Sequence, residues 1–395
     1  MKAVILAAGK STRTEPLTLT RPKPLLKICN KEIIFHTLDN LVGLVDEVFI
    51  IVGYKKEMVI EKIGNDYKDI KITFMEQKEQ LGTGHAVSLV RDIGDEFLLL
   101  GGDDFYNKSD LKKMCDETFA ILGQKSDTPE NFGVLVTNEN GFLSKIIEKP
   151  KEFVSDLVNT GCYKLSPEIF EYFDIEKSDR GELEFVDVIT NISKVKKVSV
   201  VETSDWMTIT YPWDIIKVNE ILMKNIISKK IEGVVEEGVT LIGEVIVGKG
   251  SVLKSGTYIE GPVIIGENCK VGPNCYIRPS TSIGDACHIG QGAEIKNSVI
   301  SDKSNVPHLN YVGDSVIGNG CNLGAGTIIA NLRHDNSNII SVIKGALIDT
   351  GRRKLGTIIG DGVHTGINTS ILPGRKLWPN TSTRPGQVIE RDVME

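Results

Sequence analysis

At 395 residues the chain is long enough for two domains with full cores, and 41% hydrophobic with 25% charged residues is ordinary globular composition. A formal net charge of −7 argues against nucleic acid as the main partner, although local basic clusters can still hold small phosphorylated ligands. Seven scattered cysteines without a Cys-x-x-Cys pair indicate neither a zinc site nor a disulfide framework, and the longest apolar runs fall well short of a membrane span. The opening run to Gly9 is too short for a signal peptide, so a cytoplasmic protein is expected.

Residues 2–8 form an unbroken apolar stretch ending at Gly9, the pattern of a buried parallel strand that enters a loop. Further strands are expected at Val48–Val52, Ile70–Met75, Glu96–Leu100, Gly133–Thr137, Leu143–Ile147, Val158–Leu165 and Lys197–Glu202. Helical stretches alternate with the early strands at Ile33–Val42, Lys55–Ile63, Gly84–Val90 and Asp110–Ile121. The alternation predicts a doubly wound, Rossmann-like α/β domain over 1–230, with ligands outside the carboxyl ends of the strands. A helix from Pro212 to about Lys229 leads into the second domain, 231–395.

Gly9-Lys10-Ser11 looks like part of a phosphate-binding P-loop, but that motif needs a glycine where Ile5 stands, inside the strand. What remains is Arg13 and, ten residues on, Lys23 in Pro22-Lys23-Pro24-Leu25. Two fixed cations beside a strand end suit a triphosphate, whose charge shifts toward the leaving pyrophosphate. Gly102-Asp103-Asp104 puts carboxylates at another strand end, fit for a hard cation or, equally, for an Asx-turn.

Together, Leu6–Arg13, Pro16-Leu17-Thr18, Pro22–Leu25, Gln80–Gly84, Gly102-Asp103, Glu148-Lys149-Pro150 and Asn159-Thr160-Gly161 resemble the signature of sugar-1-phosphate nucleotidylyltransferases. The resemblance implies that Arg13 and Lys23 hold the triphosphate and the transferring phosphoryl group. It implies that Ala8, Gly9, Gln77, Gly82 and Thr83 bind the nucleotide, UTP or dTTP, and that Asp103 binds Mg²⁺. Gly133, Glu148, Lys149, Asn159 and Thr160 would hold the sugar and its phosphate. Thr208 stands where the family usually has an acidic or amide second metal ligand, and threonine ligates Mg²⁺ poorly. Asp205 and Asp214 are the nearest carboxylates in sequence.

From Val235 to Ile295 every sixth residue is aliphatic, and four residues after each stands a small one, such as Ser251, Cys269, Cys275 or Cys287. A period of six is the hexapeptide-repeat signature of a parallel β-helix, in which three flat faces close one coil. The register slips by one at Ile300, resumes, and is interrupted between Asn331 and about Ile358 by a cation-rich excursion.

Around that interruption, Pro307–Asp314, Asn319–Thr327 and Asn331, with Arg278-Pro279 and Glu294-Ile295-Lys296 upstream, are similar to the acetyltransferase half of the GlmU-like bifunctional family that makes UDP-N-acetylglucosamine. That resemblance implies a left-handed coil, a homotrimer and acetyl-CoA as co-substrate. Arg278 and Lys296 would bind the sugar phosphate, and His308 would be the general base. Tyr311 and Asn322 would position the amino sugar, and Asn331 and Ala325 would contact the acetyl end. Leu332 replaces the tyrosine of bacterial members and no lysine follows soon, which leaves Arg333 or Arg352-Arg353-Lys354 for phosphate or CoA. The implied reactions are acetylation of glucosamine-1-phosphate and coupling of N-acetylglucosamine-1-phosphate to UTP or dTTP. Two rivals stay open: a glucose-1-phosphate nucleotidylyltransferase with a structural β-helix, and a regulatory protein whose first domain has decayed. No nucleic acid or membrane partner is expected.

Overall fold

Ala3, Val4 and Ile5 are fully buried, and their strand, Lys2–Ala7, is the centre of the first sheet. A computed structural model describes residues 1–178, 181–225 and 229–395. It divides into two compact units: Met1–Lys10 with Ile33–Thr208, and Ser11–Glu32 with Ile209–Glu395.

In the first unit, Lys2–Ala7 lies parallel between Phe97–Gly101 and Glu47–Val52, and Ile70–Glu76 adds a fourth parallel strand. The sheet continues antiparallel through Leu157–Leu165 and Gly133–Thr137 to Leu143–Glu148. Lys2–Ala7, Glu47–Val52 and Phe97–Gly101 bury nearly continuous apolar runs, as strands covered on both faces do, whereas Ile70–Glu76 buries only Ile70 and Ile72. Helices α1 (Ile33–Leu41), α2 (Lys56–Ile63) and α3 (Thr83–Ser88) fall where the alternation predicts. The doubly wound α/β reading is borne out.

Two elements depart from expectation. The helix expected over Asp110–Ile121 ends early: α4 is Lys108–Cys115, and Ala120–Lys125 is a strand between Leu157–Leu165 and Ser199–Thr203. Its apolar run Phe119–Leu122 continued the preceding pattern closely enough to hide the change of period. Helix α5 (Phe185–Ser193) was not anticipated, although Phe185, Val188, Ile189 and Ile192 are buried at helical spacing.

In the second unit, three parallel sheets of eight, five and eight strands stack coil on coil, as a left-handed parallel β-helix requires. Val245 pairs with Val263 and Val263 with Thr281, three hexads per coil. The inward residues Val247, Leu253, Ile259, Ile265, Val271, Ile277, Ile283, Ile289 and Ile295 are buried to 1% exposure or less. Ser251, Thr257 and Cys269 are buried with them in the narrow interior, and Asn268, Asn274 and Asn297 take the left-handed conformation that asparagine tolerates. Val235 is half exposed, because no coil precedes it to cover the open end. The slip at Ile300 is real: Ile283 pairs with Ile300, one residue short of the regular step.

The excursion leaves the stack at Asn331 and returns at Leu355, whose N–H donates to the Asn331 carbonyl at 3.0 Å. Inside it, Ile340–Ile343 and Ala346–Asp349 form an antiparallel hairpin. Helix α6 (Asp214–Met223) precedes the coils; the end expected for it, over 226–228, lies outside the described residues. Its buried Asn219 accepts from the Cys29 N–H at 3.0 Å and from Ser282 Oγ at 3.1 Å, and donates to the Ser280 carbonyl at 2.9 Å. Lys27 pairs with Asp302 at 2.7 Å, Arg21 pairs with Asp361, and Asn30 donates to the Ile283 carbonyl at 2.5 Å. These bonds explain why Ser11–Glu32 clusters with the coils. Among the described residues no helix is long and apolar enough to cross a membrane.

Candidate active sites

Along the carboxyl edge of the parallel strands of the first unit lies a cleft of ≈ 500 Å³. Ala8, Gly9, Gln77, Gly82, Thr83, Asp103, Glu148 and Asn159 line it, so most of the nucleotide, metal and sugar residues expected in this unit come together. The Gln77 side chain is buried and donates through Nε2 to the Gly82 carbonyl at 3.1 Å. Gln80, quoted in the motif without a role, donates to the Ala8 carbonyl at 2.8 Å. The two turns are thereby held in fixed relation.

Gly82 has φ +105°, and a Cβ there would meet the Leu183 carbonyl oxygen at 2.5 Å. The segment before α5 crosses at that point: Gly84 N–H donates to Leu183 O at 2.8 Å, and Phe185 N–H donates to Thr83 Oγ1 at 3.0 Å. Glycine at 82 is needed for this close crossing. The same segment brings Glu182 and Glu184 to the cleft. Neither was singled out in the sequence.

Three expected residues sit beside the cleft and do not line it. Gly133 pairs in register with Glu148, and a Cβ on it would lie 3.0 Å from Glu148 Oε2. Lys149 is exposed just beyond, in the left-handed conformation. Thr160 is buried with its hydroxyl donating to the Leu122 carbonyl at 2.8 Å, away from solvent.

Asp104 lines the cleft beside Asp103 and is braced by Trp206 Nε1 at 3.2 Å and the Tyr106 hydroxyl at 3.2 Å. Burial, then the neighbouring Asp104, push the Tyr106 hydroxyl well above its ordinary value, so it stays a donor. Thr208 pairs in register with Asp104. Asp205 accepts from Asn107 Nδ2 at 3.3 Å, and Asp214 accepts from the N–H groups of Thr210 and Tyr211 at 2.9 and 2.7 Å. Each of these two carboxylates therefore has local hydrogen bonds to maintain. Among the described residues no group of three or more His, Cys, Asp or Glu is placed to hold a metal. Arg13 and Lys23 belong to the second unit; Arg13 is exposed, and the buried Lys23 donates to the Ile209 carbonyl at 2.5 Å.

The second unit has its own cleft, of ≈ 680 Å³, where Arg278 and Lys296 are joined by Arg352, Arg353 and Lys354. Arg278 pairs with Glu294 at 2.9 Å. Lys296 pairs at 3.0 Å with Asp314, which is almost completely buried. Asp314 also accepts from Asn331 at 2.5 Å and Asn297 at 2.7 Å, and Asn331 donates to the Tyr311 hydroxyl at 3.2 Å. Lys296, Asn331 and, through Asn331, Tyr311 are thus linked through one carboxylate that sequence reading quoted without a role, whereas Arg278 is held separately by Glu294. Burial outweighs the Asn331 hydrogen bond and raises the Tyr311 hydroxyl above its ordinary value.

His308, Tyr311, Asn322, Ala325 and Asn331 do not line this cleft, although Asn331 reaches its Asp314 and Tyr311 reaches Asn331 by hydrogen bonds. His308 is exposed on the turn before Tyr311, and Asn322 bridges Asn305 and His364 on another face of the coil. Arg333 is exposed and paired with Asp335 at 2.7 Å, so of the two candidate cation groups it is Arg352–Lys354 that joins Arg278 and Lys296.

The nucleotidyl transferase family model matches residues 2–225, and that of the GMPPB C-terminal domain matches residues 259–383. A bifunctional sugar-1-phosphate nucleotidylyltransferase/acetyltransferase of Sulfurisphaera tokodaii is 44% identical over 402 residues, covering 100% of this chain and 98% of the relative. A bifunctional protein GlmU of Methanococcus maripaludis is 40% identical over 398 residues, covering 100% and 95%. The crystal structure of a putative glucose-1-phosphate thymidylyltransferase from Bacillus anthracis, in complex with sucrose, is similar over 56% of this chain and 94% of that one, at 27% identity and a TM-score of 0.52. With relatives matched from end to end at this identity, the chain belongs to the family of bifunctional sugar-1-phosphate nucleotidylyltransferase/acetyltransferases.

Proposed function

We propose that the protein acetylates glucosamine-1-phosphate with acetyl-CoA and then couples N-acetylglucosamine-1-phosphate to UTP or dTTP, releasing pyrophosphate. The observation that carries this reading is end-to-end similarity to relatives named for both activities, whereas the thymidylyltransferase structure covers only 56% of the chain.

For nucleotidyl transfer, a phosphate oxygen of the sugar phosphate attacks the α-phosphorus and pyrophosphate leaves. Gln77, Gly82 and Thr83 hold the base, Glu148 and Asn159 the sugar, and Arg13 and Lys23 the triphosphate. Asp103, Asp104, Glu148, Glu182 and Glu184 line the first cleft with no lysine or arginine among the described lining residues. That donor set fits Mg²⁺, which takes one or two carboxylates and completes its shell with phosphate oxygens and water. Asp103 would hold the ion, which would neutralise phosphate charge as it develops.

For acetyl transfer, the amine attacks the thioester carbonyl, His308 takes the amine proton, and CoA leaves as thiol. Tyr311 and Asn322 would orient the amino sugar, with Asn331 and Ala325 at the acetyl end. A homotrimer would complete this site, joining His308 of one copy to the phosphate cleft of another. In support, His308 and Asn322 stand apart from the cleft of their own chain, and Leu309, Ile328, Ile367 and Val388 are exposed apolar side chains on the coils.

The test is a product assay that crosses UTP and dTTP with acetylated and free hexosamine 1-phosphates and glucose-1-phosphate, with and without acetyl-CoA. Formation of the nucleotide amino sugar only from acetylated acceptors, and acetylation of glucosamine-1-phosphate, are expected. Coupling of glucose-1-phosphate with no acetyl-CoA turnover would establish the rival with a structural β-helix.

A further inference from the structure

Deepening the reading of the first cleft as the nucleoside triphosphate site, on which it rests, we infer that His85 is a positioning residue for base recognition. It takes up the second amide hydrogen of Gln77, so that Gln77 offers the base an acceptor and favours a pyrimidine that carries hydrogen on N3.

The Gln77 side chain is buried and lines the cleft. Its Nε2 lies 3.1 Å from the Gly82 carbonyl oxygen and 3.2 Å from His85 Nδ1. A carbonyl oxygen accepts and never donates, so the amide nitrogen, and not the amide oxygen, must face Gly82. That orientation decides the other contact. An amide nitrogen donates and never accepts, so His85 Nδ1 is the acceptor and the ring carries its hydrogen on Nε2. Both amide hydrogens are then engaged within the protein. Among the described residues nothing donates to Gln77 Oε1, which is left as the polar atom this side chain can offer a ligand.

The fold sets this arrangement from both sides. Gln77 directly follows Ile70–Glu76, and its N–H donates to the Val52 carbonyl at 2.8 Å, which ties it to the parallel strands. His85 is the third residue of α3, and the segment that crosses at Gly82 seats that helix through the bonds of Thr83 and Gly84. Ala86 and Val87 beside it are buried, and the His85 ring is half buried. Turning the Gln77 amide over would set its oxygen against the Gly82 oxygen and the Nδ1 lone pair together. Uracil and thymine have an N3–H that Oε1 can accept, whereas cytosine has an acceptor at N3 and would oppose it. Gly82 engages one amide hydrogen, and His85 completes the lock.

The test is steady-state coupling of N-acetylglucosamine-1-phosphate by the full chain, with UTP and CTP varied separately. His85→Leu should raise the KM for UTP roughly three- to tenfold, the order of one lost neutral hydrogen bond. The kcat and the KM for the sugar phosphate should hold, and the preference for UTP over CTP in kcat/KM should fall by a similar factor. His85→Asn, whose Oδ1 can stand where Nδ1 stood, should recover most of both losses. Should His85→Leu fail to fold, His85→Gln replaces it with the same expected losses, because its amide extends toward the Nε2 side of the ring. An unchanged UTP-to-CTP ratio would overturn the assignment, as would equal losses in the Leu and Asn variants or a wild-type preference for CTP. Should the wild-type protein couple no nucleotide, the proposed function fails separately. Calorimetric titration with UTP then decides the role of His85: binding weakened by Leu and recovered by Asn supports it, and equal binding overturns it.

Discussion

On the proposed function, the two clefts would solve one problem, the handling of phosphate, with opposite charge. The cleft of the first unit is lined by five carboxylates and by backbone turns; that of the second is lined by six Lys and Arg residues against Glu220 and Asp314. A carboxylate-lined cleft needs a cation to bring phosphate in, so a metal ion is the natural intermediary. A cleft lined by Lys and Arg takes the anion directly. The scaffolds differ accordingly. Strand ends that lead into irregular turns can aim backbone at a flat base, whereas a coil repeats one geometry and varies only its outward side chains and its excursion.

The harshest way to break the comparison is to remove one scaffold. Ile283→Asp places a charge where exposure is 0%. The lost burial costs roughly 1.5–3 kcal/mol and the unpaired charge several more, so the β-helix should not fold. A soluble variant with a cooperative melt would show that the inward assignment is wrong.

The next largest effects should separate the clefts. His308→Ala should lower acetyl transfer by about 10²–10⁴-fold and leave coupling of an acetylated sugar phosphate untouched. Asp103→Asn should do the reverse, suppressing pyrophosphate release by roughly 10²–10³-fold while acetyl transfer holds. Equal losses of both activities in either folded variant would contradict two independent sites.

A smaller effect sharpens the account of the first cleft. Gly82→Ala forces a Cβ into the Leu183 carbonyl and should raise the KM for the nucleoside triphosphate about tenfold by displacing the Gly82–Thr83 turn. An unchanged KM would mean that the crossing segment yields without moving the turn.

The smallest effect lies in the Lys27–Asp302 pair. Burial opposes ionisation of Asp302, but the Lys27 hydrogen bond and the Asp285 N–H hold its carboxyl below the ordinary value of 3.8. A carboxyl depressed in the folded state adds stability above its unfolded value, which is lost as pH falls through the folded one. Asp302→Asn should therefore lower the melting temperature near pH 7 by roughly 2–4 °C, with the gap to wild type closing below about pH 4. A gap that stays constant to pH 3 would assign the loss to packing instead of charge.

Legibility in the sequence followed periodicity. The coil could be read residue by residue because Val247 to Ile295 repeat one environment, and even the slip at Ile300 showed as a broken count. In the first cleft, the family resemblance marked Gln77, Gly82, Asp103, Glu148 and Asn159, all of which line it. Glu182 and Glu184 gave no such signal, since acids in a loop look solvated until the chain that crosses Gly82 is seen. Asp314 was hidden for another reason: its importance lies in three partners spread over Lys296, Asn297 and Asn331, and pairings across neighbouring coils have no local mark.

The bonds from Ser11–Glu32 to the coils bear on how such a chain can be divided or rebuilt. A fragment that stops after residue 225 retains Arg13 and Lys23 in its sequence but discards Asp302, Asp361 and the Ile283 carbonyl, which hold Lys27, Arg21 and Asn30. The halves that similarity delimits along the sequence are therefore not interchangeable cassettes. Replacing the coils with those of another protein would leave an early stretch of the first half without its mooring, and a graft that respects this architecture must carry Ser11–Glu32 along with the coils it binds.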